Sequence, residues 1–220
     1  MAARLLHSIA RVFIFGAFCA FSVLRVTGQT AQNTAPAAVT NSPPFTVIMA
    51  REEVPGMNPV TRTHVTVGTN KFALLTPSGY RTSADSVQRK VVIVRDDGRC
   101  SLNFRIAGPM PTGTNGLSAE PFRKLLLERH AGAKIVEEFT LTASGKSGPA
   151  FDLNWRTPGG LTVFTRTAFI PSEGGVLEFS LVSDDPDKAG ELHSVFNAFL
   201  LTFRASRGGK IEITPLSNKI

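Results

Sequence analysis

The chain has 220 residues, with 24 lysines and arginines against 17 aspartates and glutamates, and two cysteines. Two cysteines exclude a disulfide-rich miniprotein and a zinc site built from four thiolates. A charged fraction of 19% beside a hydrophobic fraction of 42% indicates a packed globular protein rather than a highly charged disordered chain.

The amino terminus has the three-part pattern of a secretory signal peptide. Arg4 and Arg11 precede the apolar run of residues 12–24, and small residues then lead to a cleavage point between Gly28 and Gln29. A basic segment, a short apolar segment and a small-residue exit are typical of exported proteins. The apolar run is shorter than the roughly 20 residues that a spanning helix needs. We therefore predict a signal peptide over residues 1–28 and a periplasmic or extracellular protein; the alternative is an uncleaved membrane anchor.

Three further segments follow the predicted cleavage point. Residues 29–44 are rich in Ala, Thr, Asn, Gln and Pro and carry no charge, which predicts a disordered linker. Residues 45–206 form the predicted folded domain. Residues 207–220 begin with two glycines after Arg207 and predict a flexible carboxyl-terminal tail.

The first half of the domain reads as a series of short strands, predicted at residues 46–50, 64–67, 72–75, 87–94 and 99–106. An Asp-Gly pair at residues 97–98 lies between the last two and predicts a hairpin. Within the last strand, Cys100, Leu102 and Phe104 alternate with the polar residues Asn103 and Arg105, so the two sets occupy opposite faces.

The second half combines two helices with four strands. Ser118 and Pro121 predict the start of the first helix. Strands are predicted at residues 135–143, 150–157, 161–170 and 176–182, joined by turns and therefore antiparallel. Asp185 and Pro186 predict the start of the last helix, which has an apolar stripe that ends at Phe203. Together these elements predict an α+β fold, an antiparallel sheet packed with α-helices.

Three segments carry a resemblance to a known family. They are a strand that leads into a Pro-Ser-Gly-Tyr turn at residues 77–80, a Gly-Pro-Ala sequence at residues 148–150, and two hairpin strands followed by a closing helix. This arrangement resembles the PsbP-like family, which includes the extrinsic photosystem II protein and bacterial envelope proteins of the DcrB type. The resemblance covers most of residues 64–204. It implies an α/β/α sandwich and an accessory or binding role, with no shared catalytic residues.

Two sequences that resemble ligand loops lack required residues. The Gly-Lys-Ser sequence at residues 145–147 would need a glycine where Thr140 stands to form a phosphate-binding loop, so we predict a hairpin loop there. A calcium loop that starts at Asp185 would need a glutamate where Phe196 stands. Asp184 and Asp187 are better suited to the amino-terminal end of the last helix.

The histidines and the cysteine that follow the predicted cleavage point do not form a recognisable reactive site. His64, His130 and His193 each lie far in sequence from another histidine or a cysteine, so no local metal pair exists. Cys100 shares a strand face with large apolar residues, which predicts a buried, inert thiol; a dimer disulfide or a reactive thiol is the alternative. We therefore assign no catalytic residue, no metal ligand and no cofactor.

One group of polar strand residues is a candidate binding site. If the closing helix covers only part of the sheet, the uncovered face would present several basic and amide side chains to an acidic protein or a small anionic ligand. These candidates are Arg105, Asn154, Arg156 and Arg166. A solvated sheet face without a ligand is the alternative.

Nucleic acid is excluded as a partner despite the net charge of +7. Three of the basic residues lie in the predicted signal peptide, and one Trp and one Tyr offer little for base stacking. The sequence thus predicts an exported, non-enzymatic accessory or binding protein of the bacterial cell envelope, which meets the membrane only if its amino terminus stays uncleaved. The alternatives are a small envelope enzyme with a site assembled from loops and a membrane-anchored structural protein.

Overall fold

The computed structural model describes residues 44–53, 58–109, 117–173, 175–185 and 188–207. The predicted signal peptide lies outside these ranges, as do the predicted linker except its last residue and the predicted tail beyond Arg207. Neither helix within the described ranges is both long enough and apolar enough to cross a membrane.

The described residues form strands and two helices, and every strand pairing is antiparallel. The strands are β1 (Phe45–Glu52), β2 (Val60–Val67), β3 (Asn70–Thr76), β4 (Tyr80–Asp85), β5 (Lys90–Arg95), β6 (Cys100–Gly108), β7 (Lys134–Ala143), β8 (Lys146–Arg156), β9 (Thr162–Ser172), β10 (Gly175–Ser183) and β11 (Arg204–Arg207). The helices are α1 (Ala119–Arg129) and α2 (Ala189–Thr202). One sheet has the order β1-β2-β3-β11 and the other β4-β5-β6-β10-β9-β8-β7. The predicted α+β class, with antiparallel strands and packed helices, is confirmed.

The seven-stranded sheet is covered on both faces. Alternate residues of β6 and β10, among them Phe104 and Phe179, join α2 and Phe72 of the four-stranded sheet in the main apolar cluster. On the opposite face, Phe122 of α1 stacks on Phe169 of β9 in a second cluster. We call the face of the seven-stranded sheet that packs on α2 the inner face, and the face that packs on α1 the outer face. Full burial of such a side chain contributes roughly 1.5–3 kcal/mol, so both helices are held mainly by their apolar residues.

A two-residue turn, Ser144-Gly145, joins β7 to β8. Its residues have φ values of 50° and 75°. Positive φ at both central residues defines the type I′ turn, which matches the twist of paired strands. The Gly-Lys-Ser sequence at residues 145–147 therefore belongs to this hairpin turn and to the first residues of β8.

The structure differs from the sequence prediction at several elements. The short strands β4 and β11 were not predicted, and β2 begins at Val60 rather than at His64. Helix α2 spans Ala189–Thr202 with Lys188 at the N-cap position, and the predicted start at Pro186 lies outside the described residues. Arg99, in the turn before β6, lies 3.0 Å from the Asp184 carboxylate and 3.4 Å from that of Asp185, so the sheet holds these two acids.

Gly148, near the start of β8, allows β8 to lie unusually close to β9. A Cβ atom at this position would lie 1.8 Å from the backbone oxygen of Phe169. Because a backbone oxygen in a paired strand cannot move aside easily, we expect Gly148→Ala to lower the free energy of unfolding by about 3 kcal/mol. Urea denaturation of the purified variant measures this change.

Gly190 in α2 provides the matched control, because a Cβ atom there would meet nothing within 4 Å. Gly190→Ala should leave stability unchanged or raise it by up to about 1 kcal/mol, since alanine favours the helix. Equal free energies of unfolding for the two alanine variants would contradict the close approach at Gly148.

Candidate functional site

The strand register places the four predicted binding residues on two different faces. Asn154 of β8 lies opposite Phe164 of β9, a member of the main apolar cluster, so Asn154 and Arg156 are on the inner face. Arg166 of β9 is also on the inner face. Arg105 alternates with inner-face residues of β6 and therefore lies on the outer face. The structure thus brings three of the four together and separates Arg105 from them.

Arg166 is paired with Asp152, its direct neighbour across β8 and β9. Arg166 Nε donates to Asp152 Oδ1 and Nη2 to Oδ2, both at 2.7 Å. The exposed fractions of the two side chains are only 8% and 4%. The guanidinium also lies over the Phe139 ring, 4.6 Å from its centroid. Bidentate geometry of this kind compensates part of the desolvation of both charges, so Arg166 joins two strands and is not presented to solvent.

His193 extends from α2 toward the same ion pair. Its Nε2 lies 3.4 Å from Asp152 Oδ2, yet this contact does not have hydrogen-bond geometry and the nitrogen is buried without a partner. Burial lowers the pKa of His193, and the nearby Arg166 lowers it further, whereas Asp152 and Glu137 oppose the shift. The imidazole under α2 is therefore neutral at physiological pH.

The end of the inner face beyond this ion pair is open to solvent. Lys134 of β7 lies directly opposite Asn154 of β8, and Arg156 follows two residues later on the same face. All three are exposed. Diagonal neighbours in a sheet are about 7–8 Å apart, which places the two cations within reach of one partner group. Neither Lys134 nor Arg156 forms an ion pair within the described ranges. We call these three residues the β7–β8 cationic patch.

Arg105 belongs to a different cluster, on the outer face, that sequence reasoning missed. Glu178 of β10 accepts hydrogen bonds from Arg105 Nε at 2.9 Å and Nη2 at 2.6 Å. It also accepts from Arg129 at the end of α1, at 2.6 Å and 3.3 Å. The signal that could have revealed this cluster is Glu178 itself, because a single acid between Leu177 and Phe179 in an apolar strand needs a cation nearby.

His64 and Cys100 lie apart from these clusters, whereas His130 follows Arg129 and lies near Glu178 of the outer-face cluster. Burial lowers the pKa values of His64 and His130. The nearby Arg62 lowers the pKa of His64 further, and Arg129 does the same for His130. Cys100 is fully buried, which raises the pKa of its thiol, and it contacts Tyr80. Burial raises the pKa of Tyr80 to about 12. In the part of the chain that the structure describes, no three His, Cys, Asp or Glu side chains converge as metal ligands.

A cleft of about 1350 Å³ lies elsewhere. It is open and is lined by Met49, Leu75, Pro77 and Tyr80, among others, where the chain passes from the four-stranded to the seven-stranded sheet. None of the four predicted binding residues lines it. The predicted residues therefore define a surface patch rather than a pocket.

Fold and site together define an antiparallel α+β protein with cationic surface groups. No protein-family model matches the chain, and no curated protein matches it in sequence. Similar solved structures include cyanobacterial PsbP from Synechocystis sp. PCC 6803, 14% identical with a TM-score of 0.49, where the match covers 61% of this chain and 86% of that one.

Two other structures show the same kind of likeness. The Ran-binding protein Mog1p of Saccharomyces cerevisiae is 12% identical with a TM-score of 0.44, over 72% of this chain and 96% of its own. The protein PA94 of Pseudomonas aeruginosa, of unknown function, is 15% identical with a TM-score of 0.35, and the match covers 68% of this chain and 94% of that one. At these identities the likeness concerns the fold alone, and in that respect it agrees with the PsbP-like resemblance of the sequence.

The buried ion pair leads to a stability prediction. Asp152→Asn would leave the Arg166 guanidinium buried without its counter-charge, and we expect a loss of about 3–5 kcal/mol in the free energy of unfolding. Replacing both partners, with Asp152→Leu and Arg166→Met, should recover part of that loss because no unpaired charge remains buried.

The exposed pair of Arg81 and Asp96, 3.2 Å apart, supplies the control. Its side chains are 74% and 61% exposed, so Asp96→Asn should change stability by less than about 1 kcal/mol. If Asp152→Asn proves as mild as Asp96→Asn in the same denaturation experiment, the buried pair does not hold β8 and β9 together as described.

Proposed function

We propose that this chain is an exported accessory protein of the cell envelope that binds an acidic protein through the β7–β8 cationic patch. Export is supported by the amino-terminal sequence, in which two arginines, an apolar run and small residues lead to a cleavage point before Gln29. Binding is supported by the geometry of Lys134, Asn154 and Arg156.

The observation that carries the binding proposal is the contrast among the arginines. Arg166 and Arg105 are both held by buried carboxylates. Lys134 and Arg156 are exposed and lie diagonally across β7 and β8 with the amide of Asn154 between them. Two exposed cations that form no ion pair among the described residues favour an anionic partner and speed its association.

The position of the patch at a sheet edge favours a protein partner over a small molecule. Strand β7 is an edge strand of the seven-stranded sheet. Its register shifts between Ile135 and Glu137, so the edge is irregular next to the patch. A shallow surface at a sheet edge is suited to a protein interface, where small ligands usually need a concave site.

Export is tested first by expressing the full chain in a bacterial host and fractionating the cells. We expect the protein in the periplasm or medium, with an amino terminus at Gln29, because the signal sequence is removed on export. A variant without residues 1–28 should remain inside the cell. An unprocessed chain that sediments with membranes would instead support the uncleaved anchor.

The binding proposal is tested by charge reversal. A column that carries the double variant Lys134→Glu and Arg156→Glu should retain at least tenfold less of the acidic envelope proteins than a column that carries the unmodified protein. Raised salt should weaken retention by the unmodified protein. Arg204→Glu, an exposed residue of β11 in the other sheet, is the matched control. Equal retention by all three proteins would refute the patch, and displacement by millimolar phosphate alone would indicate a small anion as its ligand.

A further inference from the structure

The outer-face cluster contains two cations and a single carboxylate. Glu178 is 5% exposed, whereas the side chains of Arg105 and Arg129 are 34% and 29% exposed. The carboxylate thus lies inside the protein, whereas both arginine side chains are partly exposed to solvent. Two positive charges against one negative charge leave this cluster with a net positive charge.

Both arginines keep hydrogen-bond donors that Glu178 does not use. A guanidinium has five N–H donors in a fixed plane. Arg105 uses Nε and Nη2 for Glu178, and Arg129 uses Nη1 and Nη2, which leaves three N–H groups on each. The Nη1 group of Arg105 and the Nε group of Arg129 have no protein partner within the described ranges. Donors of this kind suit the oxygens of a multiply charged oxyanion.

Glu178 also fixes the positions of the two arginines before any ligand binds. Free arginine side chains lose about 2 kcal/mol of rotamer entropy when they are ordered. Here the ordering is already imposed by the buried carboxylate, which raises the affinity for an anion by reducing what binding must immobilise. Arg105 from a strand and Arg129 from a helix end are therefore ordered side by side at Glu178 on the outer face.

From these observations we propose that Arg105 and Arg129, positioned by Glu178, form a second anion-binding site that takes a phosphate group. The site lies on the opposite face from the β7–β8 cationic patch and does not depend on it. The phosphate group belongs either to a soluble phosphate ester or to a phospholipid headgroup, and the two sources present the same chemistry to the arginines.

The test is titration of the purified full chain with inorganic phosphate at low ionic strength, followed by calorimetry. We expect saturable binding of one phosphate that acetate at equal ionic strength does not reproduce. Arg129→Met leaves Glu178 paired with Arg105, so the fold should survive, and phosphate affinity should fall at least tenfold.

Matched variants separate this site from the cationic patch. Lys134→Met with Arg156→Met should leave phosphate affinity unchanged while it weakens retention of the acidic protein. Site-dependent binding of glycerol 3-phosphate or of phosphatidylglycerol vesicles then identifies the soluble or the membrane source. Phosphate binding that matches acetate binding, or that survives Arg129→Met unchanged, would overturn the proposal and leave the cluster as a contact that docks α1.

Discussion

The position of one aromatic ring determines how the two sheets and α2 fit together. Phe203 is the C-cap residue of α2. The centroid of its ring lies 4.8 Å from that of Phe179 and 5.8 Å from that of Phe104, both in the seven-stranded sheet. It lies 6.0 Å from the ring centroid of Phe72 in the four-stranded sheet. Aromatic contacts at these distances add about 0.5–1.5 kcal/mol each beyond burial. Since β11 starts at the next residue and pairs with β3, Phe203 fixes both the end of the helix and the last strand.

The same constraint positions the inner-face polar groups. With the carboxyl end of α2 held at Phe203, the ten residues back to His193 span about 15 Å of helix and bring the imidazole over Asp152. At the Phe203 end of this distance the inner face consists of packed phenylalanine rings, and at the His193 end it contains a buried ion pair. Arg166 lies between Phe164 and Ala168, two members of the apolar cluster, and can be buried there because Asp152 meets it with two hydrogen bonds.

Period-two alternation and turn residues were enough to predict the fold class, because they act within single strands and hairpins. Strand β4 was missed because Tyr80–Asp85 is mostly polar, and it becomes a strand only through its pairing with β5. Strand β11 has four residues and depends in the same way on β3. Local propensity carries no information about such edges, since their backbone partners come from elsewhere in the chain.

The candidate site was predicted less well, for a related reason. Alternation divides each strand into two sets of residues, but only the register shows which sets share a face. In β6 the apolar set, which includes Phe104, faces inward, whereas in β8 the apolar residues Phe151 and Leu153 face outward under α1. The polar residues of the two strands therefore lie on opposite faces, which places Arg105 away from Arg156.

The two arginine–carboxylate clusters show how burial changes the role of the same chemical groups. In the Asp152 pair both partners are buried, and their two hydrogen bonds join neighbouring strands. In the Glu178 cluster only the carboxylate is buried, and two arginines share it from a strand and a helix end. One carboxylate cannot use all the donors of two guanidinium groups. Donors are therefore left over on both partly exposed arginines, and the proposed phosphate site rests on this surplus.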